Sequence, residues 1–218
     1  MRLLSVNVGL PREVSWHGGT ATTSIFKEPV PGRVALSTLN LDGDRQSDLT
    51  VHGGPAKAVY CYPNAHYAWW KTQLPGYPLS VAAFGENFTL ESPLENDVNI
   101  GDRFAIGSAE LIVTQPRLPC YKLGVRFGSD DMVRRFLSSG RTGYYAAVTR
   151  EGEVGAGDEV TWLSRDPAAV PVSAITRLYI AHNFSADDVA QLRRALTVDA
   201  LPESWKSWFA DKLHRLAS

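Results

Sequence analysis

Asn99-Ile100-Gly101-Asp102-Arg103-Phe104 reads as an apolar approach, a Gly-Asp reversal and an apolar departure. Glycine reaches positive φ without steric cost and aspartate bonds its own backbone, so the pair marks a tight turn. The same pattern returns at Gly155-Ala156-Gly157-Asp158-Glu159-Val160, and apolar runs at 109–114 and 144–149 lie between the two. Toward the N-terminus Val6, Val8 and Leu10 alternate. Val34-Ala35-Leu36 and Leu39-Asn40-Leu41 are short runs bounded by glycine and proline, and Val59-Tyr60-Cys61-Tyr62 stops at Pro63. So many short strands, broken so often by turns, predict a closed or nearly closed barrel over residues 1–165 rather than a parallel sheet.

Two helices are expected to interrupt the strands. Residues 65–74 set Tyr67, Trp70 and Leu74 on one side. A second helix follows Ser129-Asp130-Asp131, with Met132, Val133, Phe136 and Leu137 apolar and Gly140 as terminator. At Asp166-Pro167-Ala168-Ala169-Val170-Pro171 the composition changes, and beyond it the apolar period becomes 3.6. Val172, Ile175, Leu178 and Tyr179 form one stripe. Ser185 caps a second helix with Asp187 and Asp188 in its first turn, and Pro202 opens a third carrying Trp205, Trp208, Phe209 and Leu213. The fold class is therefore mainly β with appended helices: a β-barrel over 1–165 and a small three-helix domain over 170–218.

A chain of 218 residues with 44% hydrophobic and 21% charged content is of ordinary globular composition and long enough to bury a full core. A formal charge of −1 lacks the basic excess of a nucleic-acid or membrane surface. Two cysteines, 61 and 120, are too few for a disulfide framework and match no zinc spacing. No stretch approaches the ~18 apolar residues of a spanning helix. The apolar run after Arg2 stops at Asn7 with no small-residue cleavage site behind it. A reducing cytoplasm is the expected compartment, in which Cys120 stays a free thiol.

Cys120 stands in Gln115-Pro116-Arg117-Leu118-Pro119-Cys120-Tyr121-Lys122. Two prolines fix φ and withhold donors, so a strand cannot simply run through. Arg117 and Lys122 favour the thiolate, the form that attacks or binds metal. A soft sulfur beside fixed positive charge suits a thiophilic metal whose cofactor carries phosphate. Cys61, alternating with tyrosines and without cationic neighbours, reads as core. The tryptophans at helical spacing read as packing.

Three ordered segments carry a family resemblance: Gly43-Asp44-Arg45-Gln46-Ser47-Asp48 leading into His52-Gly53-Gly54-Pro55; Phe84-Gly85-Glu86-Asn87; and the segment around Cys120. Together they resemble the MOSC-domain family, of the bacterial YiiM type, over nearly the whole chain, three-helix tail included. That resemblance implies a β-barrel binding a molybdenum cofactor of the molybdopterin type, with Cys120 ligating the metal. It also implies reduction of N-hydroxylated compounds, 6-hydroxylaminopurine among them, to amines. Electrons would come from a separate reductase such as a flavoprotein. His52 and Glu86 fall in catalytic positions; Asn87, Gln115, Arg117 and Lys122 fall in cofactor-binding ones.

The chemistry of these side chains is compatible with such roles. Arg117 offers a planar fork for a phosphate or oxo group, and Lys122 either a point charge at the site or a solvated surface cation. His52 precedes glycines that let backbone approach a ligand, and it can protonate a hydroxyl leaving as water. Glu86 can shuttle a proton, while Asn87 and Gln115 pair donor with acceptor. Two other readings stay open from sequence: a metal-free thiol enzyme using Cys120, and a cofactor or sulfur carrier without turnover. Oligomeric state is likewise open.

Overall fold

The computed structural model describes residues 1–48 and 53–217. In chain order they form β1 (Leu3–Val8), β2 (Arg12–Trp16), β3 (Gly19–Thr23), β4 (Glu28–Pro29), β5 (Arg33–Leu36), β6 (Val59–Pro63), α1 (Ala65–Gln73) and β7 (Phe88–Leu90). Then come β8 (Arg103–Ile106), β9 (Ala109–Pro116), α2 (Tyr121–Phe127), α3 (Asp131–Ser138), β10 (Tyr144–Arg150), β11 (Gly152–Gly155), β12 (Val160–Ser164), α4 (Val172–Ile180), α5 (Ala186–Leu196) and α6 (Glu203–Ala217). None of the described helices is long and apolar enough to cross a membrane.

Eight strands make one mixed sheet in the order β12-β8-β9-β10-β6-β7-β1-β4, with β6 and β7 parallel and the other neighbours antiparallel. The chain is mainly β with helices, as its alternation predicts. The expected barrel does not close into a continuous ladder. Its ends meet through one isolated bridge, Arg2 with Glu159, and through backbone bonds such as Leu3 N–H to the Asp158 carbonyl (2.9 Å) and Val160 N–H to the Met1 carbonyl (2.8 Å). The other edge, β4, is two residues long and ends in Pro29, which has no N–H to extend a ladder.

All five residues of β6 are buried because both its faces are covered. Successive side chains of a strand point to opposite faces. Val59 and Cys61 accordingly enter the large apolar cluster that includes Phe88, Phe104, Leu111 and Tyr144. Tyr60 and Tyr62 enter a second, aromatic cluster with Tyr67, Trp70, Phe84 and Phe136. The large cluster runs on without interruption into the C-terminal helices through Val172, Ile175, Leu178, Leu192, Trp205 and Phe209. The connecting segment is pinned to the loop before β8 by Ile100 N–H to Val170 O (2.9 Å) and Val172 N–H to Val98 O (3.0 Å).

Both Gly-Asp turns form as read, with Gly101 at φ 89° and Gly157 at φ 95°. The capping box at α5 is complete: Ser185 Oγ accepts from Asp188 N–H (3.2 Å) while the Asp188 carboxylate accepts from Ser185 N–H (2.9 Å). At α3 the acidic start makes no side-chain cap bond. One helix was not foreseen: α2, which begins immediately after Cys120 and ends at Gly128 in the left-handed conformation.

Candidate functional site

Arg117 leaves β9 with its backbone N–H bonded to the Gly143 carbonyl (3.2 Å), which fixes the exit of the strand against the start of β10. Cys120 is extended (φ −122°, ψ 176°) at the position preceding the first turn of α2. The two prolines thus turn the chain from strand to helix at the thiol, and Cys120 is left partly exposed. Its side chain lies on a wall shared by two hollows, with Lys57 and Tyr145 beside it on both.

The first hollow, about 100 Å³, is lined by Lys27, Lys57, Arg117 and Lys122, with Asp44 its one acid among the described residues. In a chain of net charge −1 this is a strong local excess of positive charge. Lys122 is buried on the inner face of α2, and its ammonium donates to Ser47 Oγ (2.7 Å), so it is not a solvated surface cation. Arg117 is 6% exposed, with its guanidinium carbon 5.0 Å from the Tyr60 ring centre and 5.1 Å from that of Phe136. Its Nη1 is buried without a hydrogen-bond partner among the described residues. A buried cation left incompletely paired costs several kcal/mol, so the arrangement calls for an anion.

Lys27 and Asp44 sit opposite. The Lys27 ammonium bonds Asp44 Oδ1, which also accepts from Gly9 N–H (2.8 Å), while Asp44 Oδ2 accepts from Asn87 Nδ2 (2.9 Å). Burial lowers the Lys27 pKa, and the Asp44 carboxylate offsets part of that drop. Asn87 lines the cavity, but its amide already serves the protein. Nδ2 also donates to the Asn7 carbonyl (3.3 Å) and Oδ1 accepts from Tyr60 N–H (3.1 Å). The close wall at Gly85 (φ 79°) requires glycine: a Cβ there would lie 2.7 Å from Ile25 Cγ1.

Two residues expected at the site are placed otherwise, and a third is not described. Glu86 is fully buried and turned away from the cavity. It accepts from Tyr67 Oη, Ala82 N–H (3.0 Å), Phe84 N–H (3.2 Å) and Thr89 Oγ1 (3.1 Å). Burial raises its pKa and these bonds pull it back. Gln115 faces the second hollow, with Oε1 accepting from Trp205 Nε1 (2.8 Å) and Nε2 donating to the Ala56 carbonyl (3.4 Å). His52 lies outside the described residues. Lys27, Lys57, Tyr60 and Tyr145 were not anticipated, whereas Asp44, Gln46, Ser47, Gly53 and Gly85 stand in the quoted motifs.

The second hollow, about 370 Å³, opens between the segment 116–119 and the C-terminal helices. Tyr179, Ser204, Trp205 and Trp208 form its far side. Cys61 is fully buried in β6, where burial pushes its thiol pKa up, so it is not placed to resolve a disulfide with Cys120. Among the described residues no three His, Cys, Asp or Glu side chains converge as a metal-binding group. A thiol, a cation-rich cavity and a buried guanidinium incompletely bonded among the described residues together fit a phosphate-bearing metal cofactor.

Residues 48–161 match the MOSC domain family model. The chain is 40% identical over 214 residues to YflK of Bacillus subtilis (strain 168), covering 98% of this chain and 95% of that protein. It is 36% identical over 185 residues to YiiM of Escherichia coli (strain K12), covering 84% and 81%. A Gibberella moniliformis (strain M3125 / FGSC 7600) protein named "Reductase" is 32% identical over 177 residues, covering 80% of this chain but 31% of that protein. The crystal structure of YiiM from Geobacillus stearothermophilus superimposes with a TM-score of 0.79 at 30% identity, over 97% of this chain and 98% of that one. The three motif segments, the sheet order with its helical tail, and these relatives agree: the chain belongs to the MOSC-domain family and is a homologue of YiiM.

Proposed function

We propose that this protein is an oxidoreductase that holds a molybdenum cofactor and reduces N-hydroxylated compounds to amines. The observation that carries the reading is the juxtaposition of Cys120 with a cation-lined cavity in which the Arg117 guanidinium is buried and incompletely bonded. Family membership, and a relative named as a reductase, support the same reaction class.

Cys120 would hold the metal through sulfur, and Arg117 and Lys122 would hold the phosphate of the cofactor. The cofactor, when bound, would supply the two-electron redox chemistry. The chain's own residues do the rest. Lys27 is held by Asp44, whose carboxylate is itself fixed by Asn87, as a charge on the cavity wall, and Ser47 fixes the Lys122 ammonium. Reduction of R–NHOH to R–NH2 and water consumes two electrons and two protons. The electrons come from a separate reductase, and His52 is the proposed donor of the proton that turns the hydroxyl into water. Glu86, bonded on all sides within the aromatic cluster, is given no step. The protein would work in the reducing cytoplasm, where disulfide formation does not compete for Cys120.

The test is molybdenum content per chain for protein made in a host that synthesises the cofactor, wild type beside Cys120→Ser. Near-stoichiometric metal lost in the variant, with reduction of 6-hydroxylaminopurine lost in parallel, is the expected result. Equal metal in both, or none in either, would refute the assignment, and the second outcome would favour metal-free thiol chemistry.

A further inference from the structure

Glu95 is buried, is not among the residues lining the two hollows, and stands in none of the motif segments. It nonetheless joins α1, α4 and the approach to β10. Its Oε1 accepts from Gly143 N–H (2.6 Å), and its Oε2 lies 2.7 Å from Nε2 of His66, itself buried on α1. Its main-chain carbonyl accepts from Ser173 N–H in the first turn of α4 (3.0 Å). The Gly143 carbonyl in turn accepts from Arg117 N–H (3.2 Å) at the end of β9.

The three residues before β10 are each tied down by a different side chain. The Arg141 carbonyl accepts from Tyr62 Oη (3.2 Å), the Thr142 carbonyl from Tyr60 Oη (2.8 Å), and Gly143 is held by Glu95. Gly143 is at φ 67°, and a Cβ there would clash with the Cys61 carbonyl oxygen, so this loop packs backbone against β6. Tyr60 is the ring that stands 5.0 Å from the Arg117 guanidinium carbon. One short loop therefore holds both the main chain of Arg117 and, through Thr142, an aromatic ring beside its head group. A buried N–H must keep an acceptor, and a carboxylate is a stronger one than a carbonyl. Without Glu95 the Gly143 N–H has to shift to find another, and two supports of Arg117 shift with it.

We propose that Glu95, oriented by His66, is a positioning residue that sets the Arg117 guanidinium in the cation-lined cavity by fixing the loop 141–143. That Arg117 grips an anion rests on the function proposed above; that Glu95 places its side chain does not.

The experiment follows the Arg117 side-chain NMR signals of the full, metal-free chain during titration with inorganic phosphate. Their loss in Arg117→Met identifies them, and the Tyr60 and Phe136 rings should displace them from ordinary arginine positions in the wild type. Glu95→Ala is expected to move them back and to weaken phosphate binding roughly tenfold. Glu95→Gln, which keeps an oxygen for Gly143, should restore both. Should Glu95→Ala fail to fold, His66→Phe is the second variant, with a smaller change in the same direction. Ser185→Ala, which destabilises through the cap of α5, should alter neither readout. Arg117 signals unmoved in the variant that folds, not restored by Glu95→Gln, or moved equally by Ser185→Ala would overturn the proposal. Signals that move with Glu95→Ala in protein that binds no phosphate would spare the positioning and sink the anion reading. Phosphate bound through Arg117 but indifferent to Glu95, with unmoved signals, would do the reverse.

Discussion

Replacing Asp44 with asparagine removes one charge from a buried pair while keeping the shape of the side chain. The side chains of Lys27 and Asp44 are 9% and 1% exposed. Three donors converge on the carboxylate: the Lys27 ammonium, Gly9 N–H and Asn87 Nδ2. An amide has one oxygen, so at least one donor loses its acceptor and Lys27 loses its counter-charge. Breaking such a pair costs about 3–5 kcal/mol. For a domain of this size that corresponds to a Tm lower by roughly 6–20 °C. The cost carries a pH signature. The folded-state pKa of Lys27 lies below its ordinary 10.5 because burial outweighs the help of Asp44. The unfolded chain therefore binds the proton more tightly, and wild-type stability rises with pH between the folded value and 10.5. In Asp44→Asn the compensation is gone, the folded pKa falls further and the rise starts at lower pH. The gap between variant and wild type should then narrow as the pH rises toward 10.5. Thermal melts followed by circular dichroism across that range test it. A loss under roughly 2 °C, or a gap that stays constant with pH, would refute the reasoning.

Arg117→Met should leave the metal-free protein as stable as wild type or more so, since a buried cation is exchanged for an apolar chain of similar length. Molybdenum retention should be lost in the same variant; paired melts and metal analysis read both. Trp205→Phe keeps a ring but strands Gln115 Oε1, at a cost of about 1–3 kcal/mol in urea unfolding with an unchanged slope. Ser185→Ala removes the capping box of α5 and should cost about 1 kcal/mol in the same assay, with Asp187 and Asp188 still in the first turn.

What could be read beforehand was whatever depends on short-range grammar. The Gly-Asp reversals, the Ser185 cap and the alternation that sends Cys61 inward are local rules, and they held. Cys120, Arg117, Lys122 and Asn87 were legible as a set because motif order brought them together, and they do line one cavity. Lys27 was not, because its meaning lies in a carboxylate seventeen positions away that no spacing rule connects to it. In Phe84-Gly85-Glu86-Asn87 the alternation of the chain places Gly85 and Asn87 on the cavity, while Glu86 between them turns into the aromatic cluster. The helix α2 was missed for a related reason: it is seven residues long, starts without a side-chain cap and follows a proline pair that reads as loop. The open edge at β4 follows from Pro29, visible in sequence but without weight until the pairing order is known.

The placement of Cys120 between two hollows bears on the order of events during turnover. A group anchored through its sulfur from the cation-lined side leaves the aromatic side accessible, so one partner can remain resident through many cycles while small molecules come and go across the other face. Exchange of the transient partner then requires neither departure of the resident one nor rearrangement of the sheet. On the proposed function, product escape would be governed by the C-terminal helices and the lifetime of the resident group by residues of the sheet and α2. One side chain would thus separate a slow compartment from a fast one.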